Sequence, residues 1–293
     1  MSHWVERIAP SIAGVRELLK QPRMREQGLP SQFAFLLKMD DREGTTQQAG
    51  AVAFSRAIGS RAALWPDWTF FEGSSCGGVN HTSFKATLTH IRASQPPASL
   101  RREGTYWRGS ELISGGWERA RLHECSRQNH SFVDVKAMPK TLEGKRENVC
   151  HAQMCGHTFN LYMEGARAWS VSLKFLLACG SVLLWVNPMN EDFISQALER
   201  HVHYVPVRDS CDEIATTARS LTALQRGALA ANLSSFALDK LSMTEVRTHR
   251  PHPPALAFRS CGPVCKHPSF SEVTNDSTVA VSVVPSNLES YVM

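Results

Sequence analysis

The stretch His157–Val186, HTFNLYMEGARAWSVSLKFLLACGSVLLWV, decides the fold. Phe159 to Met163 is rich in strand formers, and Glu164-Gly165 closes the run. A polar loop follows, and then Trp169, Leu173 and Leu176 fall at helical spacing. Arg167, Ser170 and Lys174 share the opposite side, at offsets of three and seven. Cys179-Gly180-Ser181 breaks the helix. Val182 to Val186 is a continuous apolar run, as expected of a strand covered on both faces. A strand, loop, helix and strand in this order build parallel layers. A cation and a hydroxyl at the head of the helix suit a phosphate, because the free N–H groups and the helix dipole point there.

The same alternation extends outward. Thr105-Tyr106-Trp107 begins a strand, Arg108-Gly109-Ser110 follows it, and a helix is predicted over 117–128. Downstream, Asn190 is predicted to cap a helix with Glu191 and Asp192 in its first turn, running to about His201. Val202–Val207 reads as a strand. Asp209 or Ser210 caps the next helix, and helical composition continues to about Arg247, broken near Gly227 and Asn232. Near the N-terminus, residues 4–25 suit an amphipathic helix interrupted by Pro10. Residues 33–39 look like a buried strand ending in the polar tip Asp40-Asp41-Arg42. Residues 62–73 are aromatic and punctuated. Residues 94–104 are polar and proline-bearing, and a domain boundary is expected there. From Thr248 onward no period is sustained. Alternating strands and helices of this size predict an α/β protein with Rossmann-type parallel sheet layers.

Composition narrows the function classes. The chain has 293 residues, 42% hydrophobic and 20% charged, which is ordinary for a globular protein. The net charge of +5 is spread without a basic block carrying interleaved aromatics, which argues against nucleic acid. The longest apolar run, Phe175 to Val186, is too short to span a bilayer, so no membrane span is expected. The first residues lack the apolar core of a signal peptide. Two features point to the secretory lumen all the same. There are eight cysteines. Asn-X-Ser/Thr sequons begin at Asn80, Asn129, Asn232 and Asn275, four of nine asparagines. Chance sequons and buried thiols are the plain alternative, and the balance favours the lumen. Disulfide pairing is open.

The common catalytic signatures are missing. There is no Gly-X-Ser-X-Gly, Walker A or Gly-X-Gly-X-X-Gly element. His201 and His203 alternate without an accompanying Cys, Asp or Glu at ligand spacing and read as structural. Cys261 and Cys265 with His267 offer at most three ligands, so a disulfide is preferred there to zinc. No metal site is expected.

Several segments, taken in order, carry a resemblance. They are Trp107-Arg-Gly-Ser110, Glu164 to Ser181, His203-Tyr-Val-Pro-Val207, Pro66-Asp-Trp-Thr-Phe-Phe-Glu-Gly73, Asp41-Arg42 and Phe236 to Val246. Together they resemble glycosyltransferase family 90, the Rumi-like protein O-glucosyltransferase and capsule-associated xylosyltransferase group, over roughly residues 33–247. The form around Ser172 is similar to plant-like members, where the animal enzymes carry Arg. The loop from Gly165 to Ser170 is one residue longer than theirs.

The resemblance implies a GT-B-like architecture, two Rossmann-like domains facing a cleft. Residues 1–100 would be a partial acceptor-side domain, 101–247 the donor-binding domain, and 248–293 an irregular or disordered tail. The first domain is expected to be incomplete. The resemblance also implies inverting transfer of glucose or xylose from a UDP-sugar to a hydroxyl of a protein or glycan acceptor. The UDP-sugar is a substrate, and no cofactor is expected.

Such a transfer needs a base for the acceptor hydroxyl, and cations and N–H donors for the leaving diphosphate. By position, Asp41 is the base, with Asp40 competing; the plain reading is a solvated turn. Arg108, Gly109, Ser110 and Arg119 would form the first donor loop and helix, since a guanidinium fork suits paired phosphate oxygens. Gly165, Arg167, Ser170, Ser172 and Lys174 would form the second; the plain alternative is a solvated helix face. Trp68 and Phe70 would stack on sugar or acceptor, against the commoner reading of core aromatics. Two rivals stand beside this reading. One is an inactive UDP-sugar-binding remnant or truncated gene product, and the other a thiol-rich redox protein.

Overall fold

The computed structural model describes residues 33–38, 51–60, 63–64, 66–67, 70, 75–76, 79–80, 83–109, 117–127, 130–138, 151–165, 170–241, 259–260 and 278–283. The first sheet starts with β1 (Phe33–Lys38), parallel to β2 (Ala51–Ala53). One residue later β3 (Ser55–Ala57) leaves that sheet, and β4 (Ala63–Leu64) returns to lie parallel to β2. A short hairpin of β5 (Ser75–Cys76) and β6 (Val79–Asn80) precedes helix α1 (Phe84–Ala93). Ser83 caps α1, its Oγ accepting from the Ala86 N–H at 3.2 Å. Phe84, Thr87 and Ile91, at spacings of three and four, are its buried side.

The second sheet is built from β7 (Arg102–Gly109), β8 (Val133–Ala137), β9 (His157–Met163), β10 (Val182–Val186) and β12 (Val205–Val207), ordered β12-β10-β9-β7-β8. Every neighbouring pair is parallel. Helix α2 (Trp117–Arg127) follows β7, and α3 (His151–Met154) precedes β9. The predicted α/β class with a Rossmann-type parallel sheet is therefore what the chain forms. Chain order reverses between β7 and β9, which makes their C-terminal ends the switch point of the sheet.

Strand alternation divides the core. Trp107, Val133, Val135, Phe159, Leu161, Met163, Leu184 and Val186 pack on one face with Leu122 and Cys125 of α2 and with Ile214 and Ala218. The last two belong to α5 (Cys211–Ser220). The opposite face brings Tyr106, Tyr162, Leu183 and Trp185 against Ile91 of α1 and against Leu233, Phe236 and Ala237 of α6 (Ala223–Lys240). Leu64 and Phe70, on the N-terminal side of the expected boundary at 94–104, join this second cluster. Ser210 caps α5, with Asp212 and Glu213 in its first turn, as expected. Thr222 and Gln225 close a reciprocal capping box at α6. Disulfides join Cys125 to Cys211, tying α2 to the start of α5, and Cys155 to Cys179.

Three local expectations are corrected. The helix after the Gly165 loop is short: α4 (Leu173–Leu176) runs into a 3-10 turn at Leu177–Cys179 and stops at Gly180, whose φ of 59° is a left-handed stop. The helix predicted from Asn190 to His201 does not form. Instead β11 (Asn190–Asp192) pairs antiparallel with β3, and a 3-10 turn covers Ser195–Ala197. The Asp192 carboxylate accepts from the Ile194 and Ser195 N–H groups, capping that turn rather than a helix begun at Asn190. The strand expected from Val202 begins only at Val205, because His201, with φ of 60°, turns the chain first. Within 248–293, expected to be irregular, β13 (Arg259–Ser260) and β14 (Thr278–Val283) pair antiparallel with β1. Residues 4–25 lie outside the described residues.

Candidate functional site

The C-terminal ends of β7 and β9 meet where the sheet order reverses, and Arg119 spans that gap. It rises from α2 and is buried. Its Nε–H donates to the Glu164 carbonyl at 3.1 Å and its Nη2 to the Met163 carbonyl at 3.4 Å. The guanidinium stacks over the Trp107 ring at 5.3 Å. One cation therefore fixes the end of β7, through its tryptophan, against the end of β9. Gly109 completes the arrangement. A Cβ there would overlap the Trp107 indole, so only glycine leaves the ring its place.

Glu164 is the residue that sequence reasoning treated only as the end of a strand. Its Oε1 accepts from the Met189 and Asn190 backbone N–H groups, both at 2.9 Å, and Oε2 accepts from Asn190 Nδ2 at 2.6 Å. Burial raises the Glu164 pKa above the ordinary glutamate value, while these donors pull it back. The carboxylate ties the loop that begins at Gly165 to β11. That strand is held in turn by β3 and by an Arg56–Glu191 ion pair at 2.6 Å. A glutamate directly before a glycine at a strand end was the only sequence signal for it.

Ser170 and Ser172 stand at the far end of the same loop, their hydroxyl oxygens 3.0 Å apart and half-buried. The Ser170 N–H donates to the Tyr162 hydroxyl at 3.1 Å. Burial pushes the Tyr162 phenol well above its ordinary range, so it stays neutral and keeps the loop end seated on β9. The α4 helix beyond these serines has four residues, too few for the helix dipole invoked for a phosphate. What the described end of the loop offers is hydroxyls.

Two expected cradle cations are engaged elsewhere. Arg108 turns back along the sheet: its Nη2 pairs with Asp134 Oδ2 at 2.7 Å and its guanidinium lies over Tyr106 at 4.2 Å. Tyr106 packs on the sheet face opposite Trp107 and Arg119. Lys174, expected in the donor cradle or, on the plain alternative, on a solvated helix face, is buried at 2% exposure. Its Nζ meets both Asp67 oxygens at 2.9 and 2.8 Å and sits 4.1 Å from the Phe70 ring centroid. Desolvation lowers the Lys174 pKa, and Asp67 and Asp192 oppose it. Arg108 and Lys174 are thus each paired with a carboxylate, whereas Arg119 donates to backbone carbonyls.

Phe70, expected on the acceptor side, is also inside the core. Its ring meets Phe84 edge-on at 4.9 Å and Phe193 at 6.0 Å, which is the core alternative weighed for it. Gly165 directly follows Glu164, at the switch point. Asp40, Asp41, Trp68, Ser110, Arg167, Cys261 and Cys265 lie outside the described residues. Among the described residues, no group of three or more His, Cys, Asp or Glu side chains is placed to hold a metal.

Residues 37–252 match glycosyl transferase family 90. The chain is similar to O-glucosyltransferase rumi of Drosophila pseudoobscura pseudoobscura, 27% identical over 180 residues, which is 57% of this chain and 43% of that protein. It is also similar to Protein O-glucosyltransferase 1 of Bos taurus, 26% identical over 212 residues, or 66% of this chain and 53% of that one. The chain thus spans about half the length of the curated relatives it matches. A solved glycosyltransferase from Rickettsia africae ESF-5 aligns over 71% of this chain and 62% of its own at 9% identity, with a TM-score of 0.42, too distant a likeness to bear on function. With well over half of its length matched, the chain belongs to glycosyltransferase family 90.

Proposed function

We propose that this chain transfers glucose or xylose from a UDP-sugar to a hydroxyl of a protein or glycan acceptor, with inversion at the anomeric carbon. The donor is held at the switch point between β7 and β9. The observation that carries this reading is Arg119, which joins the two strand ends of a doubly wound sheet at the edge where such sheets bind ligands. Gly165 lets the chain approach the ligand closely, and Ser170 and Ser172 present hydroxyls to it. Arg119 keeps the edge positive. Ser110 and Arg167 complete the donor contacts and Asp41 takes the acceptor proton, three roles that rest on the family resemblance. In the transfer the acceptor oxygen bonds to the anomeric carbon, the bond to the diphosphate breaks, and UDP leaves with the electron pair.

The reaction is proposed to need no metal, with arginine and backbone N–H groups stabilising the leaving diphosphate. The compartment is proposed to be the endoplasmic reticulum or Golgi lumen. The two disulfides and the sequons support it. No helix among the described residues is long and apolar enough to cross a membrane. The test is a pair of assays on the purified chain, UDP-glucose or UDP-xylose binding and release of UDP with acceptor present. Saturable binding with acceptor-dependent release supports the reading, and absence of both ends it.

A second reading is a module that binds UDP-sugar without turnover. It is favoured by the commitment of Arg108 to Asp134 and of Lys174 to Asp67, which leaves fewer cations for a leaving group. Donor binding without UDP release in any acceptor mixture would select it.

A further inference from the structure

Asn232-Leu233-Ser234 satisfies the Asn-X-Ser/Thr rule, and the structure places it where a glycan fits. The motif lies in α6. Leu233 points into the core, while Asn232 is exposed. Of its neighbours three and four positions away on the helix, Ala228 and Ser235 are exposed and small, while Leu229 and Phe236 are buried in the core. Asn232 Nδ2 donates to the Val202 carbonyl at 3.2 Å. A carboxamide nitrogen carries two hydrogens and glycosylation replaces one, so the other keeps this bond.

The position on the sheet matters as much. Val202 sits in the turn that leads into β12, at the N-terminal edge of the sheet. All five strands of that sheet run parallel, so the edge where Arg119 meets Glu164 is the opposite one. A glycan at Asn232 stands across the sheet from the donor site. The Cys125–Cys211 and Cys155–Cys179 bridges, one on each face of the sheet, are the independent sign of folding in an oxidising lumen, where sequons are modified.

We propose that Asn232 is an N-glycosylation site. The amide nitrogen bonds to the anomeric carbon of an oligosaccharide carried on a polyprenyl diphosphate. The carbon–oxygen bond to the diphosphate breaks, the lipid diphosphate leaves with the electrons, and the amide gives up one proton. The inference rests on the lumenal compartment proposed above and is independent of the transferase reading.

The test is peptide mapping of the full chain made through a eukaryotic secretory pathway, with glycans removed by peptide N-glycosidase in heavy-oxygen water. Expected is heavy-oxygen aspartate at position 232 in most copies, and its complete loss in Ser234→Ala. Unmodified Asn232 in protein whose thiol titration shows both bridges formed overturns the site and leaves the compartment standing. Unmodified Asn232 with reduced thiols overturns both. Donor binding should be equal before and after glycan removal; a tenfold change would overturn the placement away from the donor edge.

Discussion

The Nε–H of Arg119 donates to the backbone carbonyl of Glu164 at 3.1 Å, across the line where the order of the parallel sheet reverses. One bond therefore ties α2 to the end of β9. The Glu164 carboxylate continues the chain of contacts to Met189 and Asn190. Arg119→Lys keeps the charge but loses the fork, so it should lower stability by about 1.5–3 kcal/mol, the scale of hydrogen bonds to a charged group. Chemical denaturation checks this, and an unchanged midpoint would show that the bonds contribute nothing.

Lys174 and Asp67 form a buried pair that connects the segment after β4 to α4. Lys174→Met alone removes the cation from a buried carboxylate and should cost about 3–5 kcal/mol. The double change with Asp67→Asn should recover most of that. Denaturation of the three variants measures the coupling, and additive losses would show that the pair is not a unit.

Gly109 faces the Trp107 ring without room for a methyl group. Gly109→Ala should displace the indole from Arg119 and destabilise the chain by about 1–3 kcal/mol, as overpacking does. Tryptophan fluorescence should shift with it; a native spectrum and midpoint would count against the close fit.

The pH dependence follows from Glu164, whose pKa is raised in the folded state by burial. The folded chain holds this proton more tightly than the unfolded one. Stability from the group is therefore full below the ordinary glutamate range and lost as pH rises through the elevated value. Wild type minus Glu164→Gln should show that decline across mildly acidic pH, followed by a plateau. Asp192, also raised, is common to both chains and cancels. A difference that climbs with pH would mean that the N–H donors outweigh burial.

The Cys125–Cys211 bridge closes a loop with a sequence separation of 86. Replacing both cysteines by Ser should cost about 2–5 kcal/mol by freeing the unfolded chain. Calorimetry with and without reductant checks it, and an unchanged wild-type transition under reduction would contradict it.

What the sequence showed and hid has physical reasons. The Val182–Val186 run, the strand expected from Thr105, α2 and the Ser210 cap were legible because local pattern and tertiary structure agree there, although β7 itself starts earlier, at Arg102. Asn190 failed as a helix cap because β3 supplies a strand partner from 135 residues away, as the Arg56–Glu191 pair shows, and no local window contains it. Lys174 was placed in the donor cradle, with a solvated helix face as the plain alternative, because its partner Asp67 lies 107 residues upstream where no local window contains it. Arg119 was singled out through position in the family pattern, not through any local signal. Glu164 drew no notice because its three donors come from Met189 and Asn190, 25 and 26 residues downstream, the latter expected to cap a helix.

The most direct measurement is UDP binding by calorimetry to wild type, Arg119→Ala and the double variant Ser170→Ala/Ser172→Ala. The account predicts saturable binding to wild type, at least tenfold weaker binding to each variant, and no effect of Arg108→Ala beyond about twofold, since Arg108 faces Asp134. Equal affinity in wild type and Arg119→Ala, or a large loss in Arg108→Ala alone, would contradict a donor site at the junction of β7 and β9.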